Sequence, residues 1–200
     1  MKQLIAFLIC AAAPILAAES GAMTDAERAF LIEQLEQSKK NMLSSIQGLS
    51  EAQWRFKPAP NVWSVAECAE HIILAEGYFF GAAEQAMKTP AAARLESANA
   101  ETDHKMVVMF NDRTQKATAP EPIVPAGRLA TPSDAVKEFT ERRDRSIAYV
   151  KSTGDEVRAH SIKGPMGPMD AYQLLVAMAA HSARHTAQIR EVEANAGFPK

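Results

Sequence analysis

Apolar side chains recur every three or four residues through four long stretches of this chain, the spacing of helices with one buried face. The first stretch runs from Thr24 to about Gln47, with Leu31, Leu35, Ser38, Met42 and Ile46 on its stripe. Thr24 and Glu27 have the spacing of a capping box, and Gly48 ends the helix. The second begins at Ser64, again with a glutamate three residues on (Glu67), and runs to about Met87 before Pro90. Its expected inward face is Cys68, His71, Ala75, Tyr78 and Ala82. The third starts at Thr131 with Pro132 in the first helical position and Asp134 in the first turn. Val136, Phe139, Ile147 and Val150 form its apolar side, the charge run Glu141 to Arg145 reads as a solvated face, and Gly154 stops it. The last spans about 170–194, capped by Asp170 with Gln173 in box position and closed near Gly197. Leu174, Met178, His181, His185, Gln188 and Val192 fall on one line along it.

The connections are uneven. Pro58 and Pro60 keep the first linker from being helical throughout, and Trp54, Phe56 and Trp63 are placed to pack over the end of a bundle. Residues 89–130 are the least regular. A short amphipathic helix is expected over about 103–116, with Met106, Val107 and Phe110 inward; Pro120, Pro122, Pro125 and Gly127 then exclude regular structure. No stretch reads as a strand. The pattern predicts an all-α fold, a four-helix bundle with a long crossover connection between helices 2 and 3. Such a connection lets those two helices sit away from simple hairpin neighbours.

Residues 1–18 break the amphipathic pattern. Lys2 precedes an apolar run and then small residues, the layout of a secretory signal peptide with cleavage after Ala18 or Ala22. The run is too short for a stable membrane span, which needs about 20 residues. The expected folded domain is 23–200, and the expected location is periplasmic or secreted. Without Lys2 the 22 basic residues become 21 against 24 acidic, a balance of −3. That is no footprint for nucleic acid, which selects a clustered basic face. Cys68 is then the one remaining cysteine, so no internal disulfide forms. It reads as a buried structural thiol, with a place beside a metal as the alternative.

The chemistry lies in the histidines. His181 and His185 are four apart on a stripe that should be buried, with Cβ atoms about 5–6 Å apart. Buried imidazoles need partners, either hydrogen bonds or a metal ion. His71, on the inner face of another helix, adds a third nitrogen donor if the two helices meet. His104 and His160 read as solvated surface residues. Gln188, one turn beyond His185, reads as a group that orients a ligand or a water, or as a polar residue of the core. Glu67, one turn before His71, reads as a capping residue or as a general base.

Several segments taken in order resemble the DinB-like (DinB/YfiT) superfamily of metal-binding four-helix bundles. They are GLSEAQWRFKPAPNVWSVAECAEHIILAE, APEPIVPAGRL, FTERRDRSIAYV and DAYQLLVAMAAHSARHTAQIREVEA. WSVAECAEH matches that family's start of the helix bearing the first ligand, and HSARHTAQI matches its C-terminal histidine pair followed by glutamine. The resemblance implies a metal triad of His71, His181 and His185. It also implies an enzyme acting on a small molecule, of the metal-dependent hydrolase or thiol-dependent transferase type. A non-catalytic metal- or ligand-binding bundle is the alternative. Three neutral imidazoles accommodate zinc, nickel, iron or manganese. A homodimer formed through an exposed helix face is compatible with the resemblance, and nothing in the residues demands it.

Overall fold

A computed structural model describes residues 21–164 and 167–200; the signal-peptide reading of residues 1–18 falls outside the described residues. Four long helices make the bundle: α1 (Asp25–Ile46), α3 (Val65–Ala86), α5 (Pro132–Ser152) and α6 (Ala171–Glu193). Two shorter helices, α2 (Glu51–Arg55) and α4 (Ala100–Asn111), and a single 3-10 turn (Glu121–Ile123) occupy the connections. The bundle is closed by contacts of α6 and of α5 with both α1 and α3, so α1 lies diagonal to α3 and α5 diagonal to α6.

Local chemistry starts each element where the sequence places it. Reciprocal capping boxes open α1 (Thr24/Glu27), α3 (Ser64/Glu67), α5 (Thr131/Asp134) and α6 (Asp170/Gln173). Each such cap stabilises its helix by about 1 kcal/mol. The first linker contains an unforeseen helix, α2, opened by the same device at Ser50 and Gln53. It drives Trp54 fully into the core, where the side chain joins Met42, Ile46, Ile72 and Ile189. The short fourth helix begins at Ala100, capped by Asn99, and ends at Asn111, a few residues earlier at both ends than its apolar positions suggest.

Other features also depart from the sequence pattern. Residues Ser161–Gly164 (β1) and Gly167–Asp170 (β2) form a two-stranded antiparallel hairpin, with Ile162 opposite Met169. At four residues each, these strands are too short to show an alternating pattern. The long crossover between α3 and α5 leaves those helices in direct contact, and its length is spent instead in laying α4 against α6. Tyr78 is exposed, because it sits at the margin of an α3 face centred on Ile72 and Ala83. Near the start of α3 the same margin is covered by the 3-10 turn and by α6, which is why His71 is buried and Tyr78 is not.

The charge run of α5 is split. Glu141, Arg142, Asp144 and Arg145 are exposed, whereas Arg143 is fully buried. Its Nε donates to Glu76 Oε2 at 2.8 Å, and its Nη1 donates to the Leu35 carbonyl at 2.7 Å. Its Nη2 donates to Ser182 Oγ at 2.9 Å, and that hydroxyl donates to Glu76 Oε1 at 2.8 Å. One guanidinium thus joins all four long helices.

A second buried guanidinium, Arg158, closes the end of the bundle where α1 and α6 begin. It meets Glu27 at 2.8 Å and Asp170 at 3.0 Å, also contacts Asp103, and lies 3.7 Å above the Tyr172 ring. Arg94 joins the cluster through Glu27. Burial pushes the Asp170 carboxyl up to about 6 despite Arg158 beside it.

Removing one partner of a buried ion pair strands the other. Arg143→Ala should therefore lower unfolding free energy by roughly 3–5 kcal/mol, read from urea midpoints, while Arg143→Met with Glu76→Leu should recover most of it. Equal losses in the single and double variants would show that the pair is not the source of the effect.

Candidate metal centre

His71 projects from the second turn of α3, and His181 and His185 project from the middle of α6. Because α3 and α6 pack side by side, the three rings converge. His71 Nε2 lies 3.1 Å from His181 Nε2 and 3.2 Å from His185 Nε2. One ligand atom from each residue falls within 4.8 Å of the others, so this trio could hold a metal ion. His71 and His181 are buried and His185 is half-buried, which turns the site toward solvent on the His185 side.

The partners behind the rings determine which nitrogens face inward. His71 Nδ1 lies 2.6 Å from the carbonyl of Ile123. A carbonyl only accepts, so Nδ1 carries the proton and Nε2 presents a lone pair to the cluster. His185 Nδ1 donates to Gln188 Oε1 at 2.8 Å. Arg113, which can only donate, reaches the same oxygen at 3.5 Å and so identifies it as the amide carbonyl. His185 Nε2 therefore also presents a lone pair. Two inward lone pairs 3.2 Å apart repel unless something positive lies between them. The third ring does not resolve this: its Nδ1 is buried without a partner, and an N–H at its Nε2 would reach only one neighbour.

Burial favours the neutral form of each ring. It lowers His71 below the ordinary imidazole value, against the pull of the Ile123 carbonyl. It lowers His181 well below that value, reinforced by the two neighbouring imidazoles. It brings His185 down to about 3. Neutral imidazole is the form that ligates. The distances suit an ion too: neighbouring nitrogens held at about 2.1 Å from one centre are roughly 3–3.5 Å apart.

Aromatic rings wall the cluster. Trp63 lies 4.8 Å from the His71 ring and 6.0 Å from His185, while Phe79 and Phe110 flank His181 at 5.5 and 6.4 Å. Trp63 is thus a wall of the site as well as a cover on the bundle. Glu67 makes its bonds to Lys57 and to the backbone of Ser64, at 2.7–2.8 Å, and stands as a cap. Cys68 packs in the core with its thiol pushed up by burial, and it is not one of the clustered donors. His104 is exposed, as expected. His160 is half-buried instead of solvated, because its Nδ1 donates to the Thr89 carbonyl at 2.7 Å and ties the hairpin to the end of α3.

Two contributors escaped sequence reasoning. Ile123 acts through its backbone carbonyl, which no side-chain pattern reveals. Arg113 reads in the sequence as one more polar residue of the short helix expected over 103–116, and only the fold brings it to Gln188 and Glu191.

A family model for the DinB superfamily matches residues 34–189. Among solved structures, this chain is similar to YfiT from Bacillus subtilis, described as a probable metal-dependent hydrolase with an unusual four-helix bundle topology. The two are 14% identical, with a TM-score of 0.61 over 89% of this chain and 92% of that one, a likeness of fold. No curated protein matches the chain.

The depressed histidines make a signed prediction for the metal-free protein. The unfolded chain takes up protons near pH 6.5 and the folded rings only further down, toward about 3 for His185. Stability is then complete above pH 6.5 and falls with acid, by about 1.4 kcal/mol per unit of pKa difference. Urea unfolding at pH 7.5, 5.5 and 4.5 should show this slope, reduced in His185→Gln. An equal slope in both proteins would mean that His185 is not among the titrating groups.

Proposed function

We propose, from the premise that this chain belongs to the DinB superfamily, that it is a metal-dependent enzyme acting on a small molecule. In this reading His71, His181 and His185 bind one divalent ion through Nε2. The observation that carries it is the pair of inward lone pairs on His71 and His185, each enforced by a hydrogen bond behind the ring. Among the described residues the donor cluster holds these three groups and no fourth, which leaves a side for water or substrate.

Zinc, nickel, iron or manganese suits three imidazoles. A divalent ion held there would supply a water acidified toward neutral pH, or a seat for a thiolate. The residues of the chain do the rest. Ile123 and Gln188 hold two rings in the ligating tautomer. Trp63, Phe79 and Phe110 keep bulk water from the inner side of the cluster. The half-exposed edge at His185 is where a substrate would enter. The hydrolase type is the better supported of the two reactions, since the similar structure carries that description. The leader-like residues 1–18 favour action outside the cytoplasm, where a cytosolic thiol cofactor is in short supply. No helix among the described residues is long and apolar enough to cross a membrane.

Dialysed protein titrated with zinc, cobalt, nickel and manganese should take up one equivalent of its preferred ion. His181→Ala should lose affinity by more than about a hundredfold while its circular dichroism stays helical. Chelation should also abolish turnover of a panel of small esters and amides. Wild-type affinity in His181→Ala would remove the triad from the account.

A further inference from the structure

The crossover between α4 and α5 runs over the metal centre and is fastened to α3 at Glu70 as well as at His71. Glu70, 3% exposed, accepts the backbone N–H groups of Ala126 and Gly127 at 2.9 and 2.8 Å, and that of Arg128 at 3.0 Å. The Arg128 guanidinium lies 3.7 Å from the same carboxylate. Three successive amides can turn to one anion because Gly127 has φ +75°, a left-handed conformation that makes a backbone nest. Glu70 immediately precedes His71, and Ile123, whose carbonyl holds His71 Nδ1, lies three residues before the nest. Pro125 stiffens the span between, Pro120 and Pro122 stiffen the approach to Ile123, and the Ile123 side chain is itself buried.

We propose that Glu70 is a positioning residue for the metal ligand beside it: by clamping residues 126–128 it keeps the Ile123 carbonyl on His71 Nδ1. This rests on the metal reading above. Without that carbonyl, the buried Nδ1–H loses its acceptor, and the proton can move to Nε2, where it blocks ligation. The same crossover reaches a second ligand from behind, since Arg113 donates to the Gln188 oxygen that holds His185. Arg184 pins that part of the crossover to α6 through the carbonyls of Phe110, Asp112 and Gln115. Linkage makes the effect reciprocal: an ion that fixes His71 also tightens the strap.

The test pairs zinc affinity with backbone hydrogen exchange. Glu70→Gln keeps the side chain's size but puts N–H groups against the nest. It should bind Zn2+ roughly ten- to a hundredfold more weakly, the usual cost of losing a group behind a ligand, with unchanged helix content. Gly127→Ala, which distorts the nest from the strap side and leaves α3 intact, should act in the same direction. In the wild type, added Zn2+ should slow exchange at Ala126, Gly127 and Arg128 by at least about tenfold, and His71→Ala should abolish that response. If both variants bind zinc like the wild type while their strap amides exchange faster, Glu70 merely anchors a loop and the proposal fails. Strap exchange indifferent to Zn2+ in the wild type overturns it too. Should Glu70→Gln fail to fold, Gly127→Ala and the wild-type comparison decide. A wild type that binds no zinc or other divalent ion overturns the metal reading itself, and this inference with it.

Discussion

The convergence of the three histidines depends on the register between α3 and α6, and one buried ion pair holds that register. Arg143 reaches in from α5 and binds Glu76, five residues beyond His71, and Ser182, the residue after His181. A slide of either helix by one turn would separate these groups and part the imidazoles at the same time. Apolar packing alone does not discriminate so sharply, since a stripe of alanine and leucine can slip and still bury its surface. Arg143 costs desolvation energy and in return names one alignment. Its hydrogen bonds are complete, which is the condition under which a polar group in a core specifies structure.

A second constraint is that the rings of the cluster must be aimed. The bundle supplies three imidazoles, but only partners behind them decide which nitrogen points inward. For His71 and His185 those partners come from the crossover or are touched by it. The least regular part of the chain is therefore the part that completes the most regular site. This division of labour is common in α-helical metal proteins, where helices give distance and outer groups give tautomer.

The fold was largely legible in the sequence because its signals are local. Thr24/Glu27, Ser64/Glu67, Thr131/Asp134 and Asp170/Gln173 each mark a helix start within four residues, and each forms the expected box. The missed α2 carries the same mark at Ser50 and Gln53, hidden beside a proline-rich run. The three histidines were legible as candidates because two share a helical line and the third lies on an apolar face. What could not be read were the non-local facts. Arg143 sits inside a run of charges, and only the approach of Glu76 from another helix distinguishes it from Arg142. Glu70 and Ile123 gain their roles from a loop folding back, and a backbone carbonyl has no residue type to betray it. His160 reads as a solvated surface residue in the sequence because the hairpin beside it is too short to announce itself.

The carboxylate cluster around Arg158 gives the molecule two ends with opposite responses to acid. There, Asp170 holds a proton more readily than it would in an unfolded chain, so mild acid adds stability through Asp170, whereas Glu27, held low against its burial by the Thr24 amide and Arg158, loses stability only in stronger acid. At the histidine end the same acid favours unfolding. A fall from neutral pH toward about 4.5 therefore tilts the bundle's stability along its long axis.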